Sequence, residues 1–395
     1  MRVVVIGAGM GGLSAAVGLR QAGADVVVLE QAPALQEVGA GLSLWPNAVH
    51  GLRRLGLWDS IEPVGARVDR SDILDQRGAL LHGSPTLPVQ ERFGAPVTMV
   101  HRADLHAVLR APLGDGTLRL GARCVRLAQD ADGVVVTLAD GSVVRGDVAV
   151  GADGLRSVVR ALTLADGPPT YSGLTAWRAV VSVDPRLALQ VRGSESWGDA
   201  SVFGMQRLPG NRVYWYAATR ATQGGTASPA GHRKDVLDQF GAWHDPVPSL
   251  VRGTGEAAVL RNDLYDRPAL LSLAFGRVAL LGDAAHPMLP YLGQGACQAI
   301  ADGVALAGAL GETHDIRAAL QAYNDRRMPQ VTAAVNQSRR VARVAHLRAP
   351  LAVAVRRAVL RLTPQGYALR QLEPVLAGDD ADRHTAREHK EGTRP

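Results

Sequence analysis

The fold is decided by Val3-Val4-Val5-Ile6-Gly7-Ala8-Gly9-Met10-Gly11-Gly12-Leu13. Four β-branched residues in a row suit a parallel strand buried on both faces. The glycines follow at once, and Leu13 to Gln21 reads as a helix ending at Gly23. Asp25 to Leu29 reads as a second buried strand, closed by Glu30. G-x-G-x-x-G therefore stands between strand and helix, with a carboxylate 18 residues past its last glycine. Gly7 permits the tight turn, Gly9 lets the backbone approach a pyrophosphate, and Gly12 allows close helix–strand packing. Free N–H groups at the helix start receive the phosphates. Glu30 can accept both ribose hydroxyls of an adenosine, and it disfavours a 2′-phosphate. The pattern says dinucleotide and leaves NAD and FAD both open.

Two later segments bear on that choice. Asp147 to Val150 reads as a short buried strand running into Gly151-Ala152-Asp153-Gly154-Leu155-Arg156-Ser157-Val158-Val159-Arg160. Arg277 to Leu281 reads as another strand, followed by Gly282-Asp283-Ala284-Ala285-His286-Pro287. Met288-Leu289-Pro290-Tyr291-Leu292-Gly293-Gln294-Gly295-Ala296-Cys297 then opens a helix to about Leu310. With these three segments in this order, the chain resembles the single-component FAD monooxygenases of the p-hydroxybenzoate hydroxylase fold. Within them it resembles the salicylate hydroxylase, urate hydroxylase and zeaxanthin epoxidase branch.

The resemblance implies an α/β fold: a Rossmann-type FAD-binding domain, an inserted mixed or antiparallel β-sheet substrate domain, and C-terminal helices. The expected division is 1–70, 97–165 and 275–345 for FAD, 71–96 and 166–274 for substrate, and 346–377 for the C-terminal helices. It implies non-covalent FAD, NADH or NADPH as co-substrate, and O2. One oxygen would pass through a C4a-hydroperoxyflavin to an aromatic or other electron-rich small molecule, by hydroxylation or epoxidation. Asp283 would bind the ribityl chain, although by itself it also reads as the cap of its own short turn. The Gly293–Gly295 turn would aim a helix N-terminus at the flavin N1–C2=O edge, where positive potential favours the anionic reduced flavin. Pro287 and Pro290 would line the ring.

Further roles follow from the same resemblance. Asp153 belongs to its second fingerprint, while Arg156 and Arg160 read equally as fingerprint residues and as surface ion pairs. His101-Arg102-Ala103-Asp104-Leu105-His106 matches H-R-x-D-L, which places Arg102 on the flavin side as a bidentate donor. His101 and His106 read as packing residues. Gly39 to Ala48 resembles the loop along the flavin, with Gly41 in close approach, Pro46 in the first turn of the next helix and Gly56 as its stop. The family often has an arginine just before this loop, and Ala34 to Val38 contains none. The cofactor set is completed by Met10, Gly11, Gln31, Val125, Gly282, Gly295 and Ala296. The catalytic set is Pro290, Gly293, Arg178 and Tyr216.

Strand patterns recur over Gly173 to Val183, Ala200 to Leu208 and Arg212 to Thr219, with Pro209-Gly210-Asn211 as a hairpin turn. Ser71 to Asp75 and Ala79 to His82 add two more. Trp177, Trp197, Phe203, Tyr214, Trp215 and Tyr216 concentrate here although aromatics are 4% of the chain. Alternation puts Tyr214 and Tyr216 on one face and Trp215 on the other. Either face could line a pocket, and Arg178 reads equally as a ligand for an anionic substrate and as a structural pair.

Composition bounds the rest. Of 395 residues, 47% are apolar and 20% charged, a globular balance of two to three units. Cys124 and Cys297 form neither C-x-x-C nor a zinc spacing, so no metal site is expected. The N-terminal apolar run is too short for a signal peptide, and no 18-residue apolar run exists, so a cytoplasmic protein is expected. A second G-x-G-x-x-G is absent, which argues against glutathione-reductase-type and Baeyer–Villiger-type enzymes. Two rivals remain open here: an FAD-dependent reductase or dehydrogenase of a hydrophobic substrate, and a non-catalytic flavin-binding protein. The net charge is +6, but Arg326 to Leu372 alone carries +10, leaving −4 elsewhere. That segment reads as a solvated helix face, with membrane or carrier contact the less favoured alternative. The acidic remainder argues against nucleic acid, and residues 378–395 read as a disordered tail.

Overall fold

Strands without charges stay buried only when both sheet faces are covered. The computed structural model describes residues 1–35 and 40–376, and its first sheet carries the helix Met10–Gln21 on one face and a small antiparallel sheet against the other. The order is Ala274–Phe275, Val278–Leu280, Val148–Gly151, Arg2–Ile6, Asp25–Leu29, Leu118–Arg119. All neighbours are parallel except the first pair. Val3, Val4 and Val5 are fully buried. The helix after the glycine turn begins at Met10, earlier than Leu13, and ends at Gln21 as read. It lies against the helix Gly295–Glu312 at backbone range: a Cβ on Gly303 would stand 2.6 Å from Ala15 N, and one on Gly18 2.7 Å from Ala307 Cβ.

The second sheet has seven strands in the order Leu260–Asp266, Thr170–Ser182, Arg212–Arg220, Ser201–Leu208, Ser194–Trp197, Asp72–Asp75, Leu80–His82. It is mixed, since Ser194–Trp197 pairs in parallel with Asp72–Asp75. Alternation holds along Arg212–Arg220. Trp215 is fully buried, stacked on Phe203 at 5.5 Å and bonded from its indole N–H to Thr254 Oγ1 at 2.9 Å. The short helices His232–Phe240 and Val247–Gly253 cover this face with Val236, Phe240, Leu250 and Val251. Trp177 joins the same core, so the Trp177-Arg178 pair is split between the two faces.

Several elements go beyond the sequence reading. The antiparallel strands Cys124–Gln129, Val134–Leu138 and Val143–Gly146 form a separate sheet. Gly41–Leu44, Thr98–His101 and Gly65–Arg67 form another, which holds the glycine loop in place. The C-terminal helices expected over 346–377 are Pro350–Leu362 and Gln365–Leu376, separated at Thr363-Pro364 because the residue before a proline leaves the helical region.

The arginine-rich segment is not simply a solvated face. Arg327 is paired with Asp302, Arg339 grips Asp266 through two bonds of 2.6 and 2.7 Å, and Arg356 caps Ala345 O and Gly198 O. A guanidinium with several fixed donors satisfies backbone carbonyls that no neighbour reaches. No helix among the described residues is long and apolar enough to cross a membrane. The expected tail, the stretch Gln36 to Val38 and Gly39 lie outside the described residues.

Candidate active site

The glycine turn has the strain its sequence demands. Gly7 sits at φ +108°, and a Cβ there would stand 2.3 Å from Ala152 O. A Cβ on Gly12 would stand 2.0 Å from Gly7 O, and one on Gly11 2.6 Å from Leu281 Cδ1. Gly9 faces open space as the N-cap of Met10–Gln21, with no capping side chain and no acid in the first turn. The free N–H groups of that turn face outward, as an anion site requires. Glu30 is held at the strand end by the N–H groups of Ala8 and Ala32, both at 2.9 Å. Gln31 beside it is exposed, and Val125 is 42% exposed on the strand that follows the Ala122–Glu30 backbone bond. His106 is more than packing: its Nε2 bonds Ala8 O at 2.8 Å, and burial lowers its pKa, so the neutral ring donates to the turn.

At the other end, Gly282 at φ +56° opens a 3-10 turn carrying Asp283. The Asp283 side chain is exposed and, among the described residues, takes no hydrogen bond from protein. Protein on every side but the open one raises its pKa; His286 opposes this. A Cβ on Gly295 would lie 4.0 Å from Asp283 Oδ1, so the carboxylate stands at the start of Gly295–Glu312. That helix has no capping side chain either, which leaves the N–H groups of Gly295 and Ala296 free.

Gly293 takes φ +61° after the turn Pro290–Leu292. A Cβ there would stand 2.4 Å from Ser43 Oγ, so the turn and the glycine loop touch. Ser43 Oγ donates to Gly293 O at 3.3 Å, and the buried Cys297 thiol, pushed up to about 12, donates to Ser43 O at 3.2 Å. Pro290 is exposed beside this junction. Pro287 is buried and lines a small cavity with Met328, Val331 and Val335.

The second sheet closes the cleft with its tyrosine face. A Cβ on Gly41 would stand 2.5 Å from Tyr214 Cγ, so that glycine's freedom admits Tyr214. Tyr214 and Tyr216 have ring centroids 5.7 Å apart, and Arg178 pairs across strands with Tyr216. Burial, and then the nearby charge of Arg178, lowers the Arg102 pKa. Among the described residues neither guanidinium meets a carboxylate. Two guanidiniums near each other without a carboxylate partner can hold an anion.

Three groups hold these parts from behind, and sequence reading missed their roles. Asp302 is fully buried; it accepts from Gly282 N at 2.9 Å, His286 Nε2 at 2.5 Å and Arg327 Nε at 2.7 Å. Burial raises its pKa, but His286 and Arg327 outweigh that and hold it below the ordinary carboxylate value. Arg160, also fully buried, donates to Ala285 O at 2.8 Å and Pro268 O at 3.2 Å and pairs with Asp166, a brace for the Gly282 segment. The Asp153 carboxylate turns inward and caps the helix Val158–Leu164 through Val158 N at 2.7 Å and Val159 N at 3.1 Å. Its Cα would stand 2.9 Å from a Cβ on Gly7, so its backbone borders the turn. Arg156 lies 5.5 Å over the Tyr265 ring.

Glu195 accepts from Tyr216 Oη at 2.5 Å and from Trp197 Nε1, and burial raises its pKa. Tyr291 Oη donates at 2.5 Å to His346 Nε2, whose Nδ1–H meets Ala200 O at 2.8 Å. Burial pushes His346 down to about 4, so the ring is neutral. Beside Leu289 opens a cavity of about 410 Å³, floored by Leu174 and Ala342 and rimmed by Arg220 and Arg343. Asp302 did leave a trace in the sequence: it is the sole charged residue from Gly295 to Gly311. Glu195, in Ser194-Glu195-Ser196-Trp197, left none.

A family model described as "FAD binding domain" matches residues 1–338. Aurachin C monooxygenase/isomerase of Stigmatella aurantiaca is 38% identical over 362 residues, covering 92% of this chain and 94% of that protein. FAD-dependent urate hydroxylase of Klebsiella pneumoniae subsp. pneumoniae is 34% identical over 348 residues, covering 88% and 91%. The crystal structure of Klebsiella pneumoniae HpxO complexed with FAD and uric acid superposes with a TM-score of 0.90 at 31% identity, covering 96% of this chain and 97% of that one.

Proposed function

The chain belongs to the FAD-binding-domain family of flavoprotein monooxygenases, and from this premise we propose that it oxygenates an aromatic or heteroaromatic small molecule, with NADH or NADPH as reductant. The carrying observation is the tyrosine face of the seven-stranded sheet, whose Tyr214 meets Gly41 and whose Tyr216 packs on the same cluster as Tyr291. The relatives named above are a monooxygenase/isomerase and a hydroxylase, and neither the reductase nor the carrier reading has a counterpart among them.

The residues present fit FAD. Two uncapped helix starts, Gly7 and Gly12 in backbone contact, Glu30 and Asp283 are the partners that pyrophosphate, adenosine ribose and ribityl chain would need. Bound and reduced, that group supplies the reaction with O2. The chain supplies the rest. The free N–H groups of Gly295 and Ala296 stabilise negative charge at the edge they face. Arg102 and Arg178 attract an anionic group. Tyr214 and Tyr216 stack against an aromatic substrate, and the sheet excludes water. The small-molecule partner is an aromatic one on this reading, and a cytoplasmic setting fits it.

The test gives the purified yellow protein NADH or NADPH under air with a panel of phenols, aromatic acids and N-heterocycles. Nicotinamide oxidation, peroxide and product mass are followed. The expected outcome is substrate-dependent oxidation with a product heavier by one oxygen atom. Substrate that reoxidises the reduced protein without O2, or turnover only with non-aromatic substrates, overturns the reading.

Glu195 gives a second expected result. Both its neighbours donate to it, so Glu195→Leu leaves the Trp197 N–H and the Tyr216 hydroxyl without their acceptor, at about 1–3 kcal/mol. Tyr216 should shift, raising KM for the substrate at least about tenfold, since roughly 1.4 kcal/mol is tenfold. FAD content should stay at the wild-type level. Unchanged KM would show that Glu195 does not position Tyr216.

A further inference from the structure

The helix Pro350–Leu362 turns its apolar face outward. Leu351, Val355, Val359 and Leu362 are 77%, 54%, 56% and 81% exposed, and Ala354 and Ala358 between them are exposed as well. The spacing i, i+3, i+4, i+7, i+8, i+11 is the one by which a helix meets a core. Here the core contact is made by the other side: Val353 and Arg356 are buried, and Leu360 packs against the cluster of Trp197, Val202 and Ala345. Of the ten arginines from Arg326 to Leu372, a span without carboxylates, Arg327, Arg339 and Arg356 are drawn inward and Arg357 meets Asp199 at 4.0 Å. Arg340, Arg343, Arg348, Arg361 and Arg370 remain exposed. Arg348 precedes the helix and Arg361 lies within it, both exposed.

We propose that this face docks the protein onto an anionic lipid surface. The helix lies in the interface plane, its aliphatic side chains enter the acyl boundary, and the arginines meet headgroup phosphates. Two other occupants fit less well. Residues 377–395 contain no Val, Leu, Ile, Met or aromatic residue to fill the stripe. A second copy would bring arginine onto arginine. A helix of 13 residues is about 20 Å long, so a stripe of about 200 Å² results, against about 800 Å² per partner in a stable pair.

The experiment floats the full-length, FAD-bound protein with vesicles of phosphatidylcholine alone or of equal parts phosphatidylcholine and phosphatidylglycerol. The wild type should rise with the mixed vesicles and stay below with the neutral ones, and salt should weaken the binding. Val355→Asp/Leu362→Asp keeps every arginine and removes two aliphatic anchors. It should lower the bound fraction at least about tenfold, with flavin absorbance and unfolding midpoint unchanged because both side chains are exposed. Equal binding by the variant, or no binding by the wild type, overturns the proposal. So does a dimer in vesicle-free buffer that the variant converts to monomer, which would assign the face to a second copy.

Discussion

Asp302→Ala should destabilise the protein by about 3–5 kcal/mol and also weaken its hold on FAD. Removing the carboxylate leaves Arg327, 5% exposed, as a buried charge without its partner, and frees Gly282 N and His286. Those last two belong to the segment that carries Asp283, so the floor of the site loosens together with the core. Chemical unfolding at one fixed FAD concentration measures the loss, and Asp302→Asn, which keeps an acceptor, should lose less. The pH dependence has a definite sign. The folded carboxylate has its pKa held below the unfolded value of about 3.9, so the unfolded chain binds the proton first. Stability from this group is complete above that value and is lost as pH falls below it. The Asp302→Ala protein should lack this part of the acid sensitivity. A variant as stable as wild type would show that Arg327 finds another partner.

Asp283→Ala should give the opposite pattern: ordinary stability and nearly colourless protein. Among the described residues its exposed side chain takes no hydrogen bond from the protein, so the fold loses little more than the attraction of His286 with it. A carboxylate that accepts hydroxyls from a ligand contributes about 1.5–3 kcal/mol, which is roughly a 10- to 100-fold rise in Kd for FAD. Titration of the flavin-free protein with FAD reads this directly. Stoichiometric FAD retained with an unchanged Kd would remove Asp283 from the ribityl contact. The two aspartates therefore separate bracing from binding within one segment.

Which features were legible follows from the range of the forces involved. Gly7, Gly9 and Gly12 could be interpreted from their neighbours because a turn, a helix start and a strand are local objects. The same holds for Pro46 and Gly56 at the two ends of one helix, and for the alternation of Tyr214, Trp215 and Tyr216. Family resemblance extended this to Asp283 and the Gly293–Gly295 turn, because those motifs are contiguous too. The Arg-rich segment shows where this stops. Ten like charges read as a solvated face, yet Arg327, Arg339 and Arg356 are drawn inward by Asp302, Asp266 and the carbonyls of Ala345 and Gly198.

The sequence by itself determined the nucleotide-binding half of this protein: a strand–glycine turn–helix whose geometry is set within a few residues, and the cofactor class that geometry admits. Only the tertiary structure decided which sheet face meets the cofactor loop, that Glu195 stands behind Tyr216, that Asp302 anchors Gly282 through its backbone N–H, and that the apolar side of Pro350–Leu362 faces out. Each of these joins residues distant in the chain. Their energies come from burial and pairing, which exist only once the chain has closed around them.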